Sequence, residues 1–163
     1  MVSLGSVYNQ KPDFYRACVE AFPDPAWRVV MLVGERIDPA VIGAVPEHVE
    51  IHSAVNQLDV LSRATVFLSA AGVGGVMEAL HCGVPQVTMP VTPEQEVNAK
   101  RVAQLGLGVR IAAGTVTAAV VRDAVERTAQ DRDIAVRVAR MREEVIASGG
   151  AVAAADVIEA AAG

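Results

Sequence analysis

The chain has 163 residues, a formal net charge of −5 and no dense run of lysine or arginine. This length predicts one domain, residues 1–163, with room for a sizeable core, and the acidic balance argues against nucleic acid as a partner. Hydrophobic residues make up 52% of the sequence but aromatic residues only 4%, so valine, alanine and leucine fill the core. That composition is typical of buried parallel strands.

Membrane insertion and metal binding are both disfavoured. No apolar run reaches about 18 residues without a charge or a turn former, and no signal peptide is visible. Cys18 and Cys82 lie far apart, so we expect two buried free thiols in a reducing compartment. His48, His52 and His81 are equally scattered and predict no metal site. The chain is therefore expected to be soluble and cytoplasmic.

Strand patterns and helix patterns alternate along the chain. The first strand, in MVSLGS, begins abruptly at residue 2, which suggests half of a longer molecule. The other predicted strands are 27–33, 49–52, 65–68, 86–89 and 108–111. The predicted helices are 12–22, 57–64, 74–81, 94–105, 116–129, 131–147 and 150–161, with a helical turn at 39–42. This order predicts an α/β fold: a parallel six-stranded sheet with helices on both faces and further C-terminal helices.

Residues 65–80, TVFLSAAGVGGVMEAL, form the most informative motif. An apolar β-branched run leads into small residues and glycines, and then into an apolar helical pattern that carries Glu78. This order predicts a strand, a glycine turn and a helix N-terminus. A helix N-terminus presents unpaired N–H groups and a partial positive charge, and glycines let a phosphate approach the backbone closely. The motif therefore predicts a phosphorylated ligand, with a nucleotide as the favoured class.

Other nucleotide and hydrolase motifs do not fit this stretch. A dinucleotide fingerprint requires a third glycine where the chain has Met77, and it usually belongs to the first βαβ unit. The Walker lysine motif and the G-x-S-x-G nucleophile motif are both absent from the sequence. Nicotinamide enzymes, P-loop enzymes and serine hydrolases are therefore disfavoured.

Polar side chains gather where the predicted strands end, at the edge where open parallel sheets bind ligands. Each has an ordinary alternative explanation as a turn former, a helix start or a solvated helix position. Their common position at one edge is what favours a site. They are Ser6, Gln57, Ser69, Glu78, Glu94, Gln95 and Asn98.

Six stretches, among them VSLGSVYNQKPDFYRACVEAF, FLSAAGVGGVMEALHCGVPQVTMP and EQEVNAKRVAQLGLGVR, carry a resemblance to a known family. In register, they are similar to the C-terminal half of family-1 glycosyltransferases of the GT-B fold, nearest to the bacterial macrolide branch. The resemblance implies a Rossmann-like domain that holds a nucleotide sugar. It also implies that an N-terminal half, outside this chain, binds the acceptor and supplies a histidine base. Self-association through the exposed domain interface is plausible.

The resemblance also implies a reaction and a set of residues. A hexose would pass from a UDP-sugar or dTDP-sugar to a macrolide-like or phenolic hydroxyl, with inversion, no metal, no cofactor and no catalytic residue in this chain. Glu94 and Gln95 would hold the donor sugar, and Glu78 the ribose hydroxyls. The implied nucleotide and diphosphate residues are Gly5, Ser6, Val55, Gln57, Ser69, Gly72, Gly74, Gly75 and Glu78.

Three residues depart from the family pattern. Ala54 stands where the family has a base-stacking tryptophan, worth about 1–3 kcal/mol, and Asn56 replaces a proline. Ala70 stands where a histidine donates to a diphosphate oxygen, a bond worth about 1.5–3 kcal/mol. Together the losses would weaken donor binding by about 10²–10⁴-fold. The alternative hypothesis is therefore a non-catalytic or engineered homologue with weak or no donor binding. A GT-B sugar epimerase would need its own catalytic acids, for which the sequence offers no convincing set.

Overall fold

The computed structural model describes residues 1–5, 7 and 9–162. Over those residues the strands are β1 (Val2–Ser3), β2 (Val29–Leu32), β3 (Val49–His52), β4 (Phe67–Ser69), β5 (Gln86–Thr88) and β6 (Gly108–Arg110). The α-helices are α1 (Pro12–Ala21), α2 (Gln57–Leu61), α3 (Val73–Cys82), α4 (Pro93–Gln104), α5 (Ala118–Gln130), α6 (Arg132–Ala147) and α7 (Gly150–Ala162), and 3₁₀ turns lie at Pro39–Val41 and Ala113–Thr115.

The six strands form one parallel sheet in the order β3-β2-β1-β4-β5-β6. Helices cover both faces, and β4 shows how the sequence achieves this. Phe67 packs with a cluster that includes Leu61 of α2 and Ala79 of α3. Its neighbour Leu68 belongs to the larger cluster on the other face, with residues of α1 and α5. Because successive strand residues point to opposite faces, a continuous apolar run fills both layers. The predicted fold class is confirmed.

Element boundaries differ from the predictions by one to three residues at several ends. For the strands, the backbone pairing register explains where they begin. β4 begins at Phe67 rather than at residue 65 because the pairing with β5 starts at Phe67 and Gln86. β1 ends at Ser3 because Gly5, with φ of 80°, takes the chain out of the extended conformation. The N-cap of α5 is Thr117, whose Oγ1 accepts from the Val120 amide at 3.3 Å.

The two cysteines are free, as expected, but they differ in burial. Cys18 is fully buried in the core and Cys82 is half-buried at the end of α3. Burial raises the pKa of both thiols, so both are protonated at neutral pH.

The C-terminal helices bring one departure from the sequence prediction. By length and composition alone, the helical stretch Arg132–Ala162 could cross a membrane, with a mean hydropathy of 1.5 over an 18-residue window that is not buried at all. No such stretch was expected from the sequence. Gly149 and Gly150, with φ of 76° and 53°, divide the stretch into α6 and α7. Val152, Val157 and Ile158 give α7 an exposed apolar surface.

Candidate functional site

Two adjoining cavities lie at the carboxyl ends of the strands. The first, of about 300 Å³, is lined by the glycine turn and the start of α4 and is called the loop cavity below. The second, of about 390 Å³, is lined by the ends of β2 and β3 and is called the β3 cavity. Ser3, Gly5 and Gln57 line both, so the two form one cleft. This is where an open parallel sheet places its ligand.

The cleft collects most of the residues predicted for the site. Gly74 is in the first turn of α3, with open space where a Cβ would stand, but it lines neither cavity. Ser6 lies outside the described residues. The loop cavity contains Gly5, Gln57, Ser69, Gly72, Gly75, Glu94 and Gln95, and the β3 cavity contains Gly5, Val55, Gln57 and Glu78.

Helix α3 begins without a side-chain cap. Its N-cap is Gly72, and the first described backbone bond of its opening turn runs from the Val76 amide to the Gly72 carbonyl, at 3.0 Å. The amides of Val73, Gly74 and Gly75 therefore have no acceptor within the helix. No acidic residue lies in this turn. Unpaired amides and the positive end of the helix dipole together make an anion site.

The turn before α3 is held in an unusual conformation. Ala71 is fully buried and has φ of 62°, in the left-handed region that costs a non-glycine residue about 1–2 kcal/mol. Its N–H donates to Ser69 Oγ at 3.1 Å, and its carbonyl accepts from Asn98 Nδ2 at 3.0 Å. The Ser69 hydroxyl, predicted to contact the nucleotide, thus supports the turn that leads into the anion site.

Gln57 and Glu78 form a hydrogen-bonded pair in one wall of the cleft. Gln57 Nε2 donates to Glu78 Oε2 at 2.5 Å, which fixes one carboxylate oxygen and leaves Oε1 for a ligand. Asn56, where the resemblance implies proline, accepts from the Asp59 amide at 3.4 Å and caps α2. Gly75 completes this wall, since a Cβ there would lie 3.4 Å from the Phe67 ring and 3.7 Å from Gln57 Nε2.

The start of α4 forms the opposite wall. Gln95 Oε1 accepts from the amides of Val91, at 2.9 Å, and Thr92, at 3.2 Å, in a capping box that Thr92 Oγ1 completes. This holds the Gln95 amide in place, with its Nε2 free of hydrogen bonds to any described residue. Glu94 is exposed, and its Oε1 accepts from Asn98 Nδ2 at 2.8 Å. Sequence reasoning placed Asn98 among the edge residues but gave no signal of its bond to Ala71.

Two of the three residues that depart from the family pattern line the cleft. Ala70 is 3% exposed and lines the loop cavity, whereas Ala54 is exposed and lines the β3 cavity. Among the described lining residues of both cavities there is no lysine, arginine or histidine, and the β3 cavity has no aromatic residue. Within the described part of the chain, no group of three or more His, Cys, Asp or Glu side chains could hold a metal ion. An anion would therefore be bound by backbone amides.

The sequence matches a family with this fold. Residues 26–160 fit the family model described as the erythromycin biosynthesis protein CIII-like C-terminal domain. The chain belongs to this family. The match confirms the resemblance to the C-terminal, sugar-donor domain of family-1 glycosyltransferases.

Relatives support the family over nearly the whole chain. NDP-glycosyltransferase YjiC of Bacillus licheniformis is 43% identical over 160 residues, 98% of this chain and 40% of that protein. Oleandomycin glycosyltransferase of Streptomyces antibioticus is 37% identical over 161 residues, 98% of this chain and 37% of that protein. The solved calicheamicin glycosyltransferase CalG4 is 42% identical with a TM-score of 0.93, over 98% of this chain and 42% of that one. The chain thus spans about two fifths of the length of these relatives.

Proposed function

We propose that the chain is the nucleotide-sugar-binding half of an inverting glycosyltransferase. The observation that carries this proposal is the uncapped, glycine-rich start of α3, which lies beside the Gln57–Glu78 pair. Unpaired amides suit a diphosphate, and a carboxylate with one free oxygen suits the hydroxyls of a ribose. Together they match a nucleoside diphosphate better than a simple phosphate ester. The proposed donor is a UDP-hexose or a dTDP-hexose.

In this proposal each part of the donor has a place in the cleft. The diphosphate lies on the amides of Val73, Gly74 and Gly75, and the ribose on Glu78. The base enters the β3 cavity along the backbone of Val55. The sugar lies against α4, where Glu94 and the free Nε2 of Gln95 reach its hydroxyls. The oxygen of the acceptor hydroxyl forms a bond to the anomeric carbon as the bond from that carbon to the diphosphate breaks, and the hydroxyl proton passes to a base outside this chain. The α3 amides stabilise the charge that develops on the leaving diphosphate.

This chain supplies the donor site and not the base that activates the acceptor. We propose that a second, N-terminal half binds a macrolide-like or phenolic acceptor and carries that base, so this chain alone transfers no sugar. We propose further that the site uses no metal or cofactor and works in the cytoplasm. Exposed Val152, Val157 and Ile158 on α7 offer apolar surface for such a partner. Without the partner, self-association is expected, and sedimentation velocity measures it.

Nucleotide titration tests the proposal. UDP and dTDP are titrated into the chain by calorimetry and by amide chemical shifts, with uridine as the matched ligand that lacks the diphosphate. The expected result is binding of at least one diphosphate, with the largest shifts at Gly72, Gly74 and Gly75 and a weaker response to uridine. No heat and no shift change with millimolar nucleotide would contradict the proposal.

A second function is favoured by Ala54 and Ala70. The chain would then be a non-catalytic homologue that keeps the fold but binds donor weakly or not at all. The absence of a cation among the described lining residues of both cavities, and of an aromatic ring among those of the β3 cavity, supports this alternative. Nucleotide binding by the Ala54→Trp, Ala70→His double variant separates the two functions.

A further inference from the structure

Ala71 is the one non-glycine residue with positive φ in the described part of the chain. It lies directly before Gly72, the N-cap of the helix that forms the anion site. A left-handed alanine persists only where its surroundings hold it, and such residues cluster at functional sites. Its conformation therefore requires a physical cause in its neighbours.

Two side chains supply that cause. Ser69 Oγ binds the Ala71 amide, and Asn98 Nδ2 binds the Ala71 carbonyl. Both polar groups of the strained residue are thus held, one from the end of β4 and one from α4. Ser69 lies only two residues before Ala71 in the chain, whereas Asn98 belongs to a separate helix. Asn98 is accordingly the contact that ties the turn to α4.

The Asn98 amide also reaches the donor-sugar wall. Its one NH₂ group has two hydrogens, and its two acceptors are the Ala71 carbonyl at 3.0 Å and Glu94 Oε1 at 2.8 Å. Both partners only accept, so the amide nitrogen and not the oxygen must face them. A single side chain therefore connects the turn before the anion site with the carboxylate at the sugar end.

We propose that Asn98 is a positioning residue that holds the α3 amides and the Glu94 carboxylate at a fixed spacing. Asn98 lines neither the loop cavity nor the β3 cavity, so it acts through Ala71 and Glu94. One ligand can then contact both groups with no further entropic cost for ordering the turn. The role rests on the proposed function, because it assumes that the α3 amides bind a diphosphate.

The decisive variant is Asn98→Asp, which keeps the size of the side chain and removes both N–H donors. We expect UDP affinity to fall about tenfold, the effect of a lost bond to a buried carbonyl. The amide resonances of Gly72, Gly74 and Gly75 should shift even without nucleotide. Val97→Ala, on the exposed neighbour of Asn98 in α4, is the matched control and should change neither measurement.

Ala71→Gly provides a rescue that a merely structural role would not allow. Glycine adopts positive φ at no steric cost, so the turn should then need Asn98 less. We expect Asn98→Ala to weaken UDP binding about tenfold in the natural background and about twofold in the Ala71→Gly background. If Asn98→Asp does not fold, this pair carries the same comparison.

The proposal is overturned if Asn98→Asp leaves both UDP affinity and the three glycine resonances unchanged, or if Ala71→Gly gives no rescue. Failure of the proposed function looks different. In that case the natural chain binds neither UDP nor dTDP. The glycine resonances and the intraresidue amide–Hα contact of Ala71, measured without ligand, then decide whether Asn98 holds the turn.

Discussion

The two ends of the cleft are built in different ways. At the loop cavity the binding groups are backbone amides, and the turn that presents them is held by Ser69 and Asn98. At the β3 cavity the wall is open, and Ala54 is exposed where the resemblance implies an aromatic ring. A site made of backbone survives side-chain substitution, whereas a stacking platform depends on one residue.

The packing of α3 explains why the backbone amides at the loop-cavity end are retained. Val76, Ala79 and Leu80 are buried on that helix, so the core requires α3 whether or not a ligand binds. Wherever α3 forms, its first turn has free amides. Ala54 is exposed and contributes nothing comparable to the core, so a substitution there leaves the fold unchanged. The loop cavity is therefore expected to bind anions even if the β3 cavity no longer binds the nucleotide base.

The largest expected effect comes from restoring both missing side chains, with Ala54→Trp at the base and Ala70→His at the diphosphate. The two positions line different cavities, so their effects should add. We expect UDP affinity to rise by about 10²–10⁴-fold, from stacking and from one charge-assisted hydrogen bond. Calorimetric titration of the single and double variants measures the gain.

The single variants sharpen the comparison between the two ends. Ala54→Trp should improve binding of uridine and UDP alike, whereas Ala70→His should improve UDP and leave uridine unchanged. Ala70 is buried, so thermal unfolding must confirm that histidine is accommodated there. If the double variant still binds no nucleotide, the site is broken elsewhere and the non-catalytic alternative is supported.

A carboxylate placed in the first turn of α3 should weaken anion binding at the loop-cavity end of the cleft. Gly74→Glu has open space for its side chain, and its charge would stand beside the α3 amides. We expect UDP affinity to fall about 10- to 100-fold, as in the removal of one or two charge-assisted bonds. Stability should rise by about 0.3–1 kcal/mol, because an acid at a helix N-terminus complements the dipole.

Opposite signs for affinity and stability distinguish this effect from unfolding. Met77→Glu is the matched control, since Met77 is exposed on the same helix but lies three residues beyond Gly74, past the unpaired amides. It should leave UDP binding within about twofold because the effect of a charge on a helix N-terminus falls off within the first turn. A fall in both affinity and stability in Gly74→Glu would show that the turn itself is disturbed.

Much of the loop-cavity end of the cleft could be predicted from the sequence, but the strained conformation of Ala71 could not. The apolar run, the glycines and the helical pattern place β4 and α3 within two residues of their observed bounds. Nothing in the sequence marks Ala71 as left-handed, because alanine disfavours that region. Its bond to Asn98 joins residues 27 apart and depends on how α3 and α4 pack.

The smallest effect tests the boundary between the two ends, where Glu78 meets Gln57. Glu78→Gln keeps the shape and can still accept from Gln57 Nε2, but its bonds to ribose become neutral. We expect UDP affinity in the doubly restored variant to fall about fivefold, the difference between charged and neutral hydrogen bonds. With 2′-deoxy-UDP, which lacks one ribose hydroxyl, the fall should be smaller. Equal losses for both nucleotides would show that Glu78 does not bind the 2′-hydroxyl, and no loss with either nucleotide would assign the ribose to another wall of the cleft.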